Sequence, residues 1–199
     1  MDSPLAASLV QPRLRGHFGR DVYIHVERCD STQDLLPPDA PEGALAVAEQ
    51  QLQGRGRLGR RWYASPGSSI LCSVCLRPRL EPARLSAVTL LAADALAEAI
   101  GAETGLVATV KPPNDVLVQG RKVAGVLAEG TGDRLVLGFG LNVNQRPVEL
   151  PRRPLLPASS LRIELGRELD RLGLLLAVLE RLELRYERWR TAASGTAGA

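Results

Sequence analysis

The segment LVATVKPPNDVLVQGRKVAGVLAEGTGDRLVLGFGLN, residues 106–142, decides the fold. It divides into four strand-like runs at 106–111, 116–119, 122–129 and 134–142. Pro112-Pro113, Gln119-Gly120 and Gly130–Asp133 supply the turns between them. Just upstream, Arg84–Ile100 places Leu85, Val88, Leu91, Ala92, Ala95, Leu96 and Ala99 near the roughly 3.6-residue helical period, which predicts a helix stopped by Gly101. Farther out, Tyr23–Glu27, Ala44–Glu49 and Ser69–Arg77 read as strands. Asp30-Ser31-Thr32 offers an N-cap for a short helix that Pro37 and Pro38 must end. Downstream, a Pro-rich connection from Pro147 to Pro157 leads to a second long helix at about Asp170–Arg190. Strands in runs, with helices between and after them, predict an α+β fold: a mixed, mostly antiparallel sheet packed against helices. Residues 1–20 read as an irregular lead-in, 21–190 as one domain and 191–199 as a flexible tail.

The 199-residue chain is 45% hydrophobic and has no apolar run long enough to span a bilayer, so it fits one or two soluble domains. Its first 20 residues lack the apolar stretch and cleavage pattern of a secretory signal, and a cytoplasmic location is expected. A net charge of +3 is too small by itself to imply a nucleic-acid partner. Cys72 and Cys75 have metal-ligand spacing, but strand positions three apart point to opposite faces, so they read as free core thiols. The cations carry more information. Of 25 basic residues 23 are Arg, and the two lysines, Lys111 and Lys122, fall eleven positions apart in one segment. A chain so biased towards Arg keeps Lys where a compact ammonium on a flexible stem is needed instead of a planar fork. Asn is as confined, at Asn114, Asn142 and Asn144.

Gly54-Arg-Gly-Arg-Leu-Gly-Arg-Arg61 contains G-x-G-x-x-G but runs into Trp62 and Tyr63 instead of opening a helix, so a dinucleotide fingerprint fails on context. Its glycines let backbone approach a ligand, and its arginines present planar donors to carboxylate or phosphate oxygens. So much positive charge repels itself. The loop is therefore expected to be mobile when empty, open to proteolysis near Arg57, and to order over an anion. Lys111-Pro-Pro-Asn-Asp115 sets a cation, an amide and a carboxylate at a rigid bend, suited to a phosphate at Lys111 and a magnesium-bound nucleotide at Asp115. A plain proline turn with an Asx-type bond fits the same residues. In Arg121-Lys-Val-Ala-Gly125, simple alternation puts Lys122 and Ala124 on one face and Val123 and Gly125 on the other. A lysine facing the sheet interior needs an anion, and a glycine within a strand signals close approach by a ligand or backbone. Gly138–Asn144 ends the strand group with two glycines and two amides, either a nucleotide floor or a plain strand end. His17 and His25 lie far from any nucleophile motif, and neither a Walker-A loop nor a zinc-ligand set occurs. The inventory favours electrostatic positioning of anions over a nucleophilic triad or a metal hydrolase.

In chain order, Asp30-Ser31-Thr32, Gln51-x-x-Gly54-Arg-Gly-Arg-x-Gly-Arg-x-Trp62, Lys111-x-Pro113-Asn-Asp115, Lys122-x-Ala124-Gly-Val-Leu127 and Gly138-x-Gly-x-Asn142 resemble the motif set of biotin protein ligases, over roughly residues 20–190. The resemblance implies a biotin/lipoate ligase-like catalytic domain and a reaction in two steps. Biotin and MgATP form biotinyl-5′-AMP with release of pyrophosphate, and a lysine of a biotin carboxyl carrier protein then attacks the adenylate. ATP, Mg2+ and biotin are implied, with no tightly bound redox cofactor. Carried over by residue, biotin would be held by Ser31, Thr32, Gln33, Gln51, Arg55, Gly56, Arg57, Lys122 and Gly125. Gly54, Arg57, Arg60, Trp62, Lys111, Asn114, Asp115 and Asn142 would line the ATP side, with Asp115 the implied metal ligand. Lys122, Arg57 and Lys111 would be the catalytic residues. A homodimer is a further implication, and no membrane partner is implied.

The chain departs from the family pattern in three places. Gln33 stands where Asn is usual and Pro112 where Trp is usual. The sequence also ends after the second long helix, without the usual C-terminal β-barrel, and no N-terminal helix-turn-helix precedes the match, so specific DNA binding is not expected. Two alternatives stay open at this level: a lipoate or octanoate ligase of the same fold, and a non-enzymatic ligand- or RNA-binding module.

Overall fold

The computed structural model describes residues 3–78, 85–131, 133–151 and 155–195. Its strands are β1 (Tyr23–Cys29), β2 (Leu45–Gln51), β3 (Ser69–Leu76), β4 (Ala108–Lys111), β5 (Asp115–Val118), β6 (Arg121–Thr131) and β7 (Arg134–Asn142). They form one sheet in the order β1-β2-β3-β7-β6-β5-β4. Only β1 and β2 pair in parallel; the other neighbours are antiparallel. The expected mixed, mostly antiparallel sheet is therefore present, and the four runs of residues 106–142 supply β4 to β7.

Four α-helices are described: α1 (Ala7–Val10), α2 (Leu85–Thr104), α3 (Leu161–Leu165) and α4 (Arg171–Gly195). The period-two alternation of the strands divides the molecule into two unequal faces. On one face Ile70, Cys72, Val74 and Leu76 of β3 join Val88, Leu91, Leu96 and Ile100 of α2 and Leu175, Val178 and Leu182 of α4 in the main core. Burial of each such Leu or Ile side chain contributes about 1.5–3 kcal/mol. On the other face a smaller cluster gathers Leu36, Ala40, Ala44, Ala46, Cys75 and Val136. Cys72 and Cys75 thus lie on opposite faces, and both are free thiols. Because the long helices cover one face, the other is left for a cavity.

Three boundaries differ from the sequence reading. α2 passes through Gly101 to Thr104 and is closed by Gly105, whose φ of +75° is left-handed and whose N–H donates to Gly101 O at 2.9 Å. A glycine inside a helix costs only about 1 kcal/mol, too little to stop a helix that Ala102, Glu103 and Thr104 can extend. The expected helix start at Arg84 lies outside the described residues. α4 continues past Arg190 to Gly195, so residues 191–195 of the expected tail are helical, as their two alanines favour. Residues 196–199 lie outside the described residues. Finally, the lead-in is packed: Leu5, Val10, Leu14 and Phe18 are buried in the main core. Tyr23 donates to Leu5 O at 2.8 Å, and the Glu183 carboxylate of α4 accepts the N–H groups of His17 and Phe18 at 2.6 and 3.3 Å. Among the described residues no helix is long and apolar enough to cross a membrane.

Candidate active site

A cavity of about 440 Å3 opens on the sheet face turned away from α2 and α4. Its floor is β6 and β7, and its walls include the Arg55–Tyr63 segment on one side and Pro151 with Leu155–Ala158 on the other. The deep end is polar and neutral. Ser31 caps the 3-10 turn Thr32–Leu35, its hydroxyl accepting the Gln33 N–H at 3.4 Å. Thr32 donates both its N–H and its hydroxyl to Gln51 Oε1, at 2.7 and 3.1 Å, and its hydroxyl also meets Ser73 Oγ at 2.7 Å. Ser31, Thr32 and Gln33 are all buried. Hydroxyls and amides held this way are preorganised for a ligand with polar groups at its buried end.

The Arg/Gly loop is a closed hairpin. Trp62 N–H donates to Gly54 O at 2.8 Å and Gly56 N–H to Arg60 O at 2.7 Å, while Arg55 and Arg61 form an isolated bridge. The expected self-repulsion is smaller than the sequence suggests, because Arg55 is neutralised. Its guanidinium forks onto Asp34 at 2.9 Å for both contacts and also reaches Glu129 at 3.0 Å. The hydrogen bond to Asp34, more than Glu129, holds the Arg55 pKa above its ordinary value despite partial burial. Arg55 thereby ties the loop to the turn that carries Thr32 and Gln33. Arg57, Arg60 and Arg61 line the cavity and have no carboxylate partner among the described residues.

Lys122 lies in the middle of the cavity, its Nζ 2.5 Å from Asp115 Oδ1 and 5.4 Å from the centre of the Trp62 ring. The simple alternation of residues 121–125 does not hold. Val116 pairs with Ala124 but the next residue, Leu117, pairs with Lys122, leaving Val123 as an extra residue. Such a bulge re-aims the side chains beyond it. Lys122 therefore shares the cavity face with Gly125, while Val123 and Ala124 are both in the core. Trp62 crosses the floor: a methyl group at Gly140 would lie 2.4 Å from Trp62 Cε2, and one at Gly125 3.1 Å from both Trp62 Cζ3 and Lys122 Nζ. Only a residue without a side chain fits under the indole at Gly140. Gly140→Ala is expected to lift Trp62 off the floor, seen as a red-shifted Trp62 emission in a Trp189→Phe background; an unchanged spectrum would argue against this packing.

At the far end, Asn114 is buried and its Nδ2 donates to Val126 O at 2.9 Å, clasping the β4–β5 bend onto β6. Asn142 donates to Ser159 O at 2.9 Å and accepts from Gln145 Nε2 at 2.9 Å. Gln145 in turn donates to Ser69 Oγ. Of the residues assigned from the sequence, two lie outside the cavity lining: Gly54, which is buried beneath Trp62 O, and Lys111, which is exposed on the edge strand β4. Others were missed. Ser73 and Ser69 stand four apart in an otherwise apolar strand, a signal that one face of β3 serves a polar site. Gln145 belongs to no motif and is found only through its bond to Asn142. Among the described residues no group of three His, Cys, Asp or Glu could hold a metal ion, and Asp115 is the carboxylate in the cavity lining.

Residues 26–145 match the Biotin/lipoate A/B protein ligase family. The chain is 35% identical over 183 residues to the bifunctional ligase/repressor BirA of Bacillus subtilis, covering 87% of this chain and 56% of that protein. It is 39% identical over 190 residues to the biotin–[acetyl-CoA-carboxylase] ligase of Mycobacterium tuberculosis, covering 89% and 68%. The fold superposes on the biotin protein ligase of Aquifex aeolicus in complex with biotin and ATP with a TM-score of 0.77 and 35% identity, over 85% of this chain and 72% of that one. The chain spans about half the length of its Bacillus relatives, at 56% and 54%. Motif order, sheet topology and a cavity lined by residues of all five motif groups agree with the match, and the chain belongs to the biotin/lipoate A/B protein ligase family.

Proposed function

We propose that this chain activates biotin with ATP to biotinyl-5′-AMP and passes the biotinyl group to a lysine of a biotin carboxyl carrier protein. The observation that carries this reading is the gradient along one cavity: neutral donors and acceptors at Ser31, Thr32, Gln33, Gln51 and Ser73, then Lys122, then a mouth with Arg57, Arg60 and Arg61. A cyclic urea suits the neutral end, a carboxylate suits Lys122, and a triphosphate suits the arginine rim.

In the first step the carboxylate oxygen of biotin attacks the α-phosphorus of ATP and pyrophosphate leaves. Both reactants are anions, so the protein's task is to bring them together against their repulsion. Lys122 would hold the carboxylate and then the acyl-phosphate oxygens, and Arg57 and Arg60 the phosphates. Trp62, Asn114 and Asn142 would line the nucleotide side. Mg2+, which binds through one or two carboxylates plus phosphate oxygens and water, would be held by Asp115, the carboxylate in the cavity lining, in exchange for its ion pair with Lys122. When bound it would neutralise phosphate charge. Lys111, exposed at the edge of the sheet, would act on phosphates that extend beyond the cavity. In the second step the carrier lysine attacks the acyl carbon and AMP leaves. A reaction that consumes ATP, in a chain with free thiols, fits the cytoplasm.

The test is to incubate the chain with biotin, MgATP and a biotin carboxyl carrier domain and to weigh the carrier by intact-mass spectrometry. One biotinyl group added to the carrier is expected. No mass gain, with ATP present and the chain folded, would refute the reading.

A further inference from the structure

Lys122 stands where the sheet changes neighbours. The ladder between β6 and β7 reaches only to Ala124 opposite Leu141, two residues short of Lys122, and on the β5 side Val123 is the bulged residue. The backbone of Lys122 turns instead to the segment that follows the cavity wall. Its N–H donates to Pro157 O at 2.7 Å, and its C=O accepts the Ser159 N–H at 2.9 Å. Ser159 O accepts in turn from Asn142 Nδ2 at 2.9 Å. The main chain of one buried residue thus fixes both the lysine in the middle of the cavity and the amide at its far end.

Ser159 is itself fixed by its side chain. Its hydroxyl donates to Glu164 of α3, and the other oxygen of that carboxylate meets Arg121 at 2.6 Å. The Glu164 side chain is 0% exposed, and a carboxylate buried so fully is costly unless its partners are in place. α3 does not need it, because the N-cap is Ser160, whose hydroxyl accepts the Ile163 N–H at 3.2 Å. What the carboxylate does is close a ring. Arg121 precedes Lys122 in the chain, so contacts run from Lys122 to Ser159, on to Glu164 and Arg121, and back to Lys122.

We propose that Glu164 and Ser159 are positioning residues for adenylate formation, holding Lys122 and Asn142 at the spacing that aligns the acid carboxylate with the α-phosphate. The proposal rests on the reading of this cavity as a biotin-activating site and deepens it. Neither residue lines the cavity, so both act through the groups they hold. When the ring is cut, each substrate keeps its own contacts and the two lose their mutual geometry. A misplacement of about 1 Å between reacting groups costs on the order of a hundredfold in rate. The second step is less exposed to this loss, because in the adenylate the acid and the phosphate are already joined.

Two rates are measured on the same proteins: biotin-dependent exchange of pyrophosphate into ATP, and transfer to a biotin carboxyl carrier domain from added biotinyl-5′-AMP. Glu164→Ala is expected to lower kcat for exchange roughly tenfold to a hundredfold, with KM for biotin and for ATP little changed and transfer reduced by a much smaller factor. Glu164→Gln keeps an acceptor for Ser159 and should recover part of the loss. Ser159→Ala opens the same ring without emptying the Glu164 site, so the test does not depend on how well Glu164→Ala folds. Combined with Glu164→Ala it should add little further loss, since both cut one chain of contacts. Unchanged kcat in both single variants would overturn the proposal, as would exchange and transfer falling in parallel with the melting temperature. A wild-type chain that does not exchange with biotin is a different result, since it fails the underlying reading before Glu164 is touched.

Discussion

Lys122→Arg is expected to lower biotin-dependent pyrophosphate exchange by about a hundredfold or more, although the positive charge is kept. The space explains why. The ammonium sits 2.5 Å from Asp115, beside the Trp62 ring, and a methyl at Gly125 would be 3.1 Å from Nζ. A guanidinium is wider, planar and bidentate, and in that slot it would fork onto Asp115 or push Trp62 away. On the proposed mechanism, either outcome removes the point charge from where the biotin carboxylate would meet the α-phosphate. The loss should fall on kcat as well as on KM, because the contact grows as charge moves onto the acyl-phosphate. Near-normal turnover by the Arg variant would show that the lysine bias of this Arg-rich chain has no catalytic cause.

Arg171→Met is expected to cost about 3–5 kcal/mol of folding stability, measured by urea unfolding at neutral pH. Arg171 and Glu49 are both buried, at 6% and 5% exposure, and meet at 2.7 Å. Arg171 also donates to Ser69 O at 3.0 Å, while Ser3 and His25 complete the surroundings of Glu49. Removing the cation leaves a carboxylate in the interior without its main partner. Burial pushes the Glu49 pKa up, but hydrogen bonds from Ser3 and Arg171 outweigh it and hold the carboxyl below its ordinary 4.5. The native state therefore binds this proton less readily than the unfolded chain, so the pair's contribution is present above pH 4.5 and is lost as pH falls below it. In the Met variant burial dominates, the Glu49 pKa rises, and this group's contribution should reverse sign, with acid relieving part of the loss. A Met variant as stable as the wild type, or one with the same pH slope, would contradict this account.

What could be read from the chain divides along physical lines. Period-two patterning is local, so the strands between residues 106 and 142 and the cysteines on opposite faces of β3 were legible. The motifs near Ser31, Gly54 and Gly138 were legible too, because a cap, a glycine-rich hairpin and a glycine floor each leave a compositional mark. The facing of Lys122 was not, since the bulge at Val123 belongs to the pairing of β6 with β5. Nor was the docking of the first 20 residues, which depends on Glu183 at the other end of the chain. Arg55 looked like one more free cation in a self-repelling loop because its partners, Asp34 and Glu129, come from two other segments. Lys111 shared the lysine argument with Lys122, yet only Lys122 reaches the cavity.

The central claim is that the neutral pocket, Lys122 and the arginine rim together activate biotin in preference to the other acids of the family. The most direct measurement is exchange of labelled pyrophosphate into ATP by the purified chain, run with biotin, lipoate and octanoate separately. Label entering ATP with biotin, and at background level with the other two, is the predicted result; exchange supported by lipoate or octanoate but not by biotin would contradict it.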